Sequence, residues 1–409
     1  MTTSRLLLCF AVAATSAAAS NASAQSPAPP YLYVWSGTAD TAQRAAFLAV
    51  FDLRPGSATT GKLVKVVYAG PGVSAHHTEH QLESDGLLFA NDFGGGTTYR
   101  FDLSTPGDPK LLGSFTTAGP YAYPHSFVRL ANGDRLATYQ KKIDGSEPGG
   151  LAELTPDGTA LRWGSAAPAN GDSTQLVPYS LDVLASMDRV VSTSTSMTEL
   201  IGVNVQVWRL SDLTLLQTLP VPMAGEHAQH NAHGSAQADS MGMSGHHMLP
   251  GEPRTLADGK TVMFGTFSCG LYRVTDVATA PKVEFVYSYP GLWCAVPVVI
   301  GKYWVWTIPA LHAVVSLDVS NPAKPREVSR LTLGAEMEPH WIAKDESGTR
   351  LVVNTGGHGG DSRMYLLRIN PKTGALSRDP ALPILEMGTV EVPGLGDVVA
   401  RPHGAVFAK

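Results

Sequence analysis

Charge is scarce in this chain: Asp, Glu, Lys and Arg make up 16% of its 409 residues, against about 25% in an ordinary globular domain. What charge there is balances, with 30 Lys and Arg against 35 Asp and Glu for a formal net of −5. No basic stripe remains to neutralise phosphates, which argues against a nucleic-acid partner. Cysteine is nearly absent, with three in all, so no disulfide framework can replace a packed core. After the N-terminal segment no run of 18 apolar residues occurs, so no membrane span is expected. No phosphate-cradling loop opens a helix: the Gly-rich stretches -NDFGGGTTY- (91–99) and -NTGGHGGDS- (354–362) each run into a strand pattern, the second offering His358 and Asp361 to a pocket. There is no G-x-S-x-G nucleophile elbow.

Turn formers are plentiful. With 41 Gly, 29 Pro and 44% hydrophobic residues, the composition points to a β-rich fold of many short strands. Residues 1–24 read as a signal peptide: Arg5, an apolar run from Leu6 to Ala14, and small residues at Ala22-Ser23-Ala24. The expectation is therefore a periplasmic or secreted protein, with a linker at 25–30 and a single domain over 31–409. Cys9 belongs to the leader. For Cys269 and Cys294 a disulfide, a structural free thiol, and metal ligation by Cys294 all stay open.

One pattern recurs along the rest of the chain: an apolar run, a polar turn, a second apolar run. It appears as -LAVFDLRPG- (48–56), -YRFDLSTPG- (99–107), -LAELTPDG- (151–158), -VWRLSDL- (207–213), -LYRVTDV- (271–277), -VSLDVSNP- (315–322) and -YLLRINPKTG- (365–374), seven copies roughly 44 to 64 residues apart. A second strand–turn–strand pattern, as in -SFVRLANGDRLATYQ- and -WIAKDESGTRLVVNT-, precedes most copies. Four strands per repeat, repeated seven times, predict an all-β seven-bladed β-propeller. The terminal -RPHGAVFAK- reads as a first strand with nothing after it. The initial -YLYVWSGT- and -FLAVFDL- read as second and third strands with nothing before them. Mixed N/C-terminal closure of one blade follows.

Aligned on the first, innermost strand of each blade, the histidines fall into register. His403 belongs to blade one, His76, His77 and His80 to blade two, His125 to blade three and His340 to blade seven; Tyr179, Glu252 and Cys294 hold the position in blades four to six. Four adjacent blades thus aim imidazoles at the axis, a donor set suited to copper, zinc, iron or nickel. Each imidazole alone is more often a hydrogen-bonding channel residue than a ligand; the shared position is what argues for metal. His76 and His77 should point to opposite faces if the strand is extended, unless the backbone bends there. A second cluster is the insertion 223–248, with His227, His230, His233, His246, His247, Met241 and Met243. Lacking periodicity, it reads as a flexible loop that collects copper, or as a solvated insertion without a role.

The pair -HH- at 76–77, -TTYRFDLSTPGDPKLL- at 97–112, -PHSFVRLANGD- at 124–134, -VQVWRLSDLTLLQTL- at 205–219 and -RPHG- at 401–404 give the chain a resemblance to the selenium-binding protein family, which includes the bacterial methanethiol oxidases. The resemblance covers most of the chain at low identity. It implies a seven-bladed propeller and an exported copper enzyme, with His76, His77, His125 and His403 at the positions of the copper-linked histidines; His340 matches by blade position only. The family's selenium-linked Cys segment has no clear counterpart. The implied activity is oxidation of a small thiol such as methanethiol by O₂ to an aldehyde, sulfide and peroxide. The alternatives are a non-catalytic propeller that binds metal or a protein partner in the cell envelope, and a lactonase-like hydrolase. The hydrolase would want carboxylates where this chain has histidines.

Overall fold

The computed structural model describes residues 29–40, 42–168, 176–223, 246–356 and 361–409. The leader, His227, His230, His233, His358, Met241 and Met243 lie outside the described residues. No described helix is long and apolar enough to cross a membrane.

Each apolar–turn–apolar repeat becomes the two outer strands of a sheet, and seven such sheets form the ring of a β-propeller. Blade two shows the plan: Ala75–Thr78 innermost, then Leu87–Asp92, Thr97–Asp102 and Lys110–Phe115 outermost. The inner strands of blades three to seven are Tyr121–Arg129, Pro178–Leu184, Pro250–Thr255, Pro297–Ile300 and Trp341–Lys344. Blade one closes the ring as its termini require. The C-terminal strand Gly396–Phe407 pairs antiparallel with Tyr31–Thr38, register Leu32↔Phe407 and Ser36↔Pro402, and Ala46–Asp52 and Leu63–Gly70 follow outward. Neither end of this blade is left as an unpaired inner edge.

Burial follows strand position. The third strand of blade one, Ala46–Asp52, is buried throughout, whereas the outermost strand Ala160–Ser165 alternates half-buried and exposed. The sheets pack face to face, so middle strands are apolar on both sides. One such core joins Phe47 and Ala49 of blade one to Leu366 of blade seven and Val305 of blade six. With hydrophobic packing carried between the sheets, the inner strands are free to hold polar side chains.

Candidate metal centre

Five of the inner strands carry the same irregularity in the same place. The register slips by one residue between Ala75 and Thr78, Pro124 and Phe127, Pro178 and Leu181, Pro250 and Pro253, and, in the C-terminal strand, Pro402 and Ala405. Each is a β-bulge, an extra residue that bends a strand and re-aims its side chains. The bulges contain His76 and His77, His125 and Ser126, Tyr179 and Ser180, Glu252, and His403. Proline at the start of four of them suits a site with no ladder hydrogen bond to give.

The residue opposite a bulge repairs it and fastens the next blade. Asn91 Oδ1 accepts the His77 N–H at 2.7 Å, and its Nδ2 donates to the His125 carbonyl, also at 2.7 Å. Thr138 accepts the Ser126 N–H at 3.0 Å and donates to the Tyr179 carbonyl at 2.8 Å. Asn354 and Thr307, whose own inner strands are not bulged, fasten the next blade in the same way, donating to the His403 carbonyl (2.8 Å) and the His340 carbonyl (3.0 Å). Satisfied buried polar groups of this kind hold a backbone in one place.

For the adjacent pair the backbone does bend, the exception allowed to the extended-strand expectation. The rings of His76 and His77 stack on the same side, with centroids 4.1 Å apart and planes 7° apart. Around them lie His403, 4.2 Å from the His76 ring, and His125, 4.5 Å from the His77 ring; His340 is 4.9 Å from His403. All five are buried. His76 Nε2 and His125 Nε2 are 3.1 Å apart. That spacing suits an N–H···N bond, and equally two ligands of one ion with bonds of about 2.0–2.1 Å.

Two donor groups satisfy the spacing needed for one ion, every ligating atom within 4.8 Å of the others: His76, His77 and His403, and His77, His125 and Glu252. The residues therefore fit a metal. Burial first, and then the neighbouring imidazoles, hold His77 well below its ordinary pKa. Burial takes His125 down to about 4 against the pull of Glu252. Both are neutral at pH 7, the form that binds a metal.

Glu252 was legible only as the residue that replaces histidine in blade five; its part in the site was missed. Its carboxylate is buried, and Oε1 lies 3.4 Å from His77 Nδ1 and 3.2 Å from Ser126 Oγ, which in turn is 3.2 Å from His125 Nδ1. Ser180 and Arg254 donate to Oε2, Arg254 at 3.1 Å. Burial pushes this carboxyl up, but the His80 contact and the Arg254 charge outweigh it, and it stays ionised well below the usual range. Tyr179 was also noted without a role; its ring packs on His125 at 3.8 Å.

The other marked residues lie outside this cluster. His80 stacks on Trp341 with centroids 4.5 Å apart and meets Arg254 at 2.9 Å, on the far side of Glu252. His246 Nδ1 bonds the Ser268 carbonyl at 2.7 Å, and neither it nor His247 joins a metal-ligating group among the described residues. Asp361 pairs with Arg363 at 2.8 Å. Cys269 and Cys294 form a disulfide with Cα atoms 5.0 Å apart, so Cys294 is not a thiolate ligand. A cavity of about 220 Å³ lies over the imidazoles, walled by His76, His340, His403, Phe93 and Met197.

No protein-family model matches the chain. Among curated proteins, the methanethiol oxidase of Ruegeria pomeroyi is 31% identical over 137 residues, a match that covers 31% of this chain and 30% of that one. Among solved structures, a hypothetical selenium-binding protein from Sulfolobus tokodaii superposes with a TM-score of 0.71 at 16% identity, covering 93% of this chain and 94% of that one. The periplasmic gluconolactonase of Pseudomonas aeruginosa gives 0.60 at 13% identity, covering 93% and 99%. The structural likenesses speak for the fold alone. The chain is thus similar in sequence to a methanethiol oxidase over that one stretch, and similar in fold to a selenium-binding protein over nearly its whole length.

Proposed function

We propose that the protein is an exported copper-dependent oxidase of small thiols, converting thiol, O₂ and water to an aldehyde, hydrogen sulfide and hydrogen peroxide. The observation that carries this reading is the buried stack of His76, His77, His125 and His403, with His340 at its edge. Bound copper would supply affinity for thiolate sulfur and one-electron chemistry with O₂. His76, His77 and His403 would hold it, with His125 alongside. Glu252 lies 3.4 Å from His77 Nδ1 and reaches His125 Nδ1 through Ser126, which leaves His125 Nε2 facing His76 Nε2. Phe93 and Met197 wall the cavity over the imidazoles, and Tyr179 and Trp341 pack against the rings of His125 and His77, which limits the access of bulk water to the site. The Cys269–Cys294 disulfide supports an oxidising compartment. The His/Met-rich stretch 223–248 fits the same reading as a segment that collects copper for the site.

Metal analysis after reconstitution with excess copper, followed by oxygen uptake with methanethiol, tests the proposal. The expected result is one tightly held copper and thiol-dependent oxygen consumption, both lost in His125→Ala and His403→Ala. Copper without oxygen uptake would make this a metal-binding propeller with no catalysis, and no copper at all would remove the metal reading.

A further inference from the structure

Next to the cavity over the histidines lies a second recess of about 320 Å³, walled by Met197, Leu200, Phe267, Trp293 and Pro309, with Glu338 at its rim. The two share Met197 and His340 as walls, so the recess borders the imidazole cluster at His340. The contact is continuous on the other side as well: the Phe267 ring packs on Tyr179 (5.7 Å), which packs on His125 (3.8 Å).

The walls are stapled. Trp293 N donates to the Phe267 carbonyl at 2.5 Å, and the residue after Trp293 is bonded through its sulfur to the residue two beyond Phe267. Trp293 and Leu200 both hold left-handed backbone conformations, φ 66° and 54°, that side chains of this size rarely adopt. Strained non-glycine residues gather at ligand clamps, where the surrounding structure over-determines them. The recess is thus a built concavity, apolar except where His340 and the rim residue Glu338 line it. Its rim charge is the Glu338 carboxylate, which repels anions.

Its volume exceeds what a one-carbon thiol fills. An apolar cavity of about 150 Å³ takes up benzene; roughly twice that volume has room for an aromatic ring with a short chain, or for a six- to eight-carbon alkyl group. We infer that this recess is the subsite for the hydrocarbon part of the substrate, and that the preferred substrate is an uncharged apolar thiol of about six to eight carbons, seated with its sulfur toward His340 and His76. The thiol in this statement rests on the oxidase reading above; the apolar subsite does not.

The subsite is tested on metal-free protein with 4-fluorotoluene, followed by fluorine NMR. Saturable binding is expected, with 4-fluorobenzoate at least tenfold weaker and the gap narrowed in Glu338→Gln. Leu200→Trp, which fills the recess, and Trp293→Ala, which removes a wall, should each weaken 4-fluorotoluene at least tenfold; circular dichroism confirms that each is folded. Absence of saturable binding to the wild type, or unchanged binding in both folded variants, overturns the subsite. The copper-loaded protein should favour phenylmethanethiol over methanethiol at least tenfold in kcat/KM, and equal or reversed values overturn the substrate class. Oxygen uptake with methanethiol but no 4-fluorotoluene binding sinks the subsite and leaves the oxidase. Binding without any thiol oxidation sinks the substrate class and the oxidase together and leaves the subsite.

Discussion

His77 Nδ1 and Glu252 Oε1 lie 3.4 Å apart although they belong to blades two and five. Three further neighbours, Ser126, Ser180 and Arg254, hydrogen-bond the same carboxylate. A buried ion this well partnered is fixed in place, and through Ser126 it positions His125.

Replacing Glu252 with Gln should therefore loosen the metal without removing a histidine. Loss of a carboxylate that orients a ligating imidazole costs about 10–100-fold in metal affinity. Copper competition against a chelator of known affinity reads this. Wild-type affinity in the folded Glu252→Gln protein would show that the carboxylate does not position the site.

Acid should destabilise the metal-free protein before it affects most carboxylates. His125 titrates near 4 when folded, against an ordinary value of 6.5. Between those values the unfolded chain binds more protons than the native one, so stability falls as pH falls. The contribution is intact above 6.5 and is lost towards 4; from pH 7 to pH 5 the loss from this residue is about 2 kcal/mol. Urea midpoints of metal-free wild type and His125→Asn at both pH values measure it. A difference between the two proteins that does not change with pH contradicts it.

The disulfide closes a loop of 25 residues, for which chain entropy gives about 3.5 kcal/mol. The Cys269→Ala/Cys294→Ala double variant should lose that order of stability in urea, and thermolysin should cut it first between Phe267 and Trp293. Equal midpoints for the two proteins would mean that packing of the Trp304 and Trp306 cluster alone holds this wall.

Gly356 should not tolerate a side chain. Its φ is +62°, and a Cβ there would lie 2.6 Å from His340 Cδ2 and 3.1 Å from His403 Nε2. Gly356→Ala displaces both imidazoles, so copper should bind at least tenfold more weakly while the circular dichroism of the sheets stays unchanged. Full copper affinity in this variant would place the two rings farther from the metal than their spacing suggests.

Much of the architecture was written along the chain. Strand, turn and apolar run repeat with a regular period, and the half-blade at each end has its complement at the other. Those are local signals, because a strand's alternation and a turn's Gly or Asn act over a few residues. The inner-strand histidines were legible for the same reason: -PH- at 124–125, 339–340 and 402–403 stands at one fixed place in the repeat.

The composition of the site was less legible. Glu252 and Tyr179 occupy the same repeat position as the histidines, and nothing local to -GEP- or -PYS- tells that the ring will carry them to His77 and His125. Asn91 and Asn354 only open Gly-rich stretches in the sequence; their work is done across the boundary to the next blade.

By itself, then, the sequence determined the repeat, the closure and the blades that carry imidazole. Whether those imidazoles meet was decided by tertiary structure. A bulge of one residue turns His76 and His77 to the same side, and the curvature of seven packed sheets brings strands hundreds of residues apart to a single axis. Side-chain direction at a bulge depends on which partner strand satisfies the extra N–H, here through Asn91, and that partner is known only once the sheet has formed.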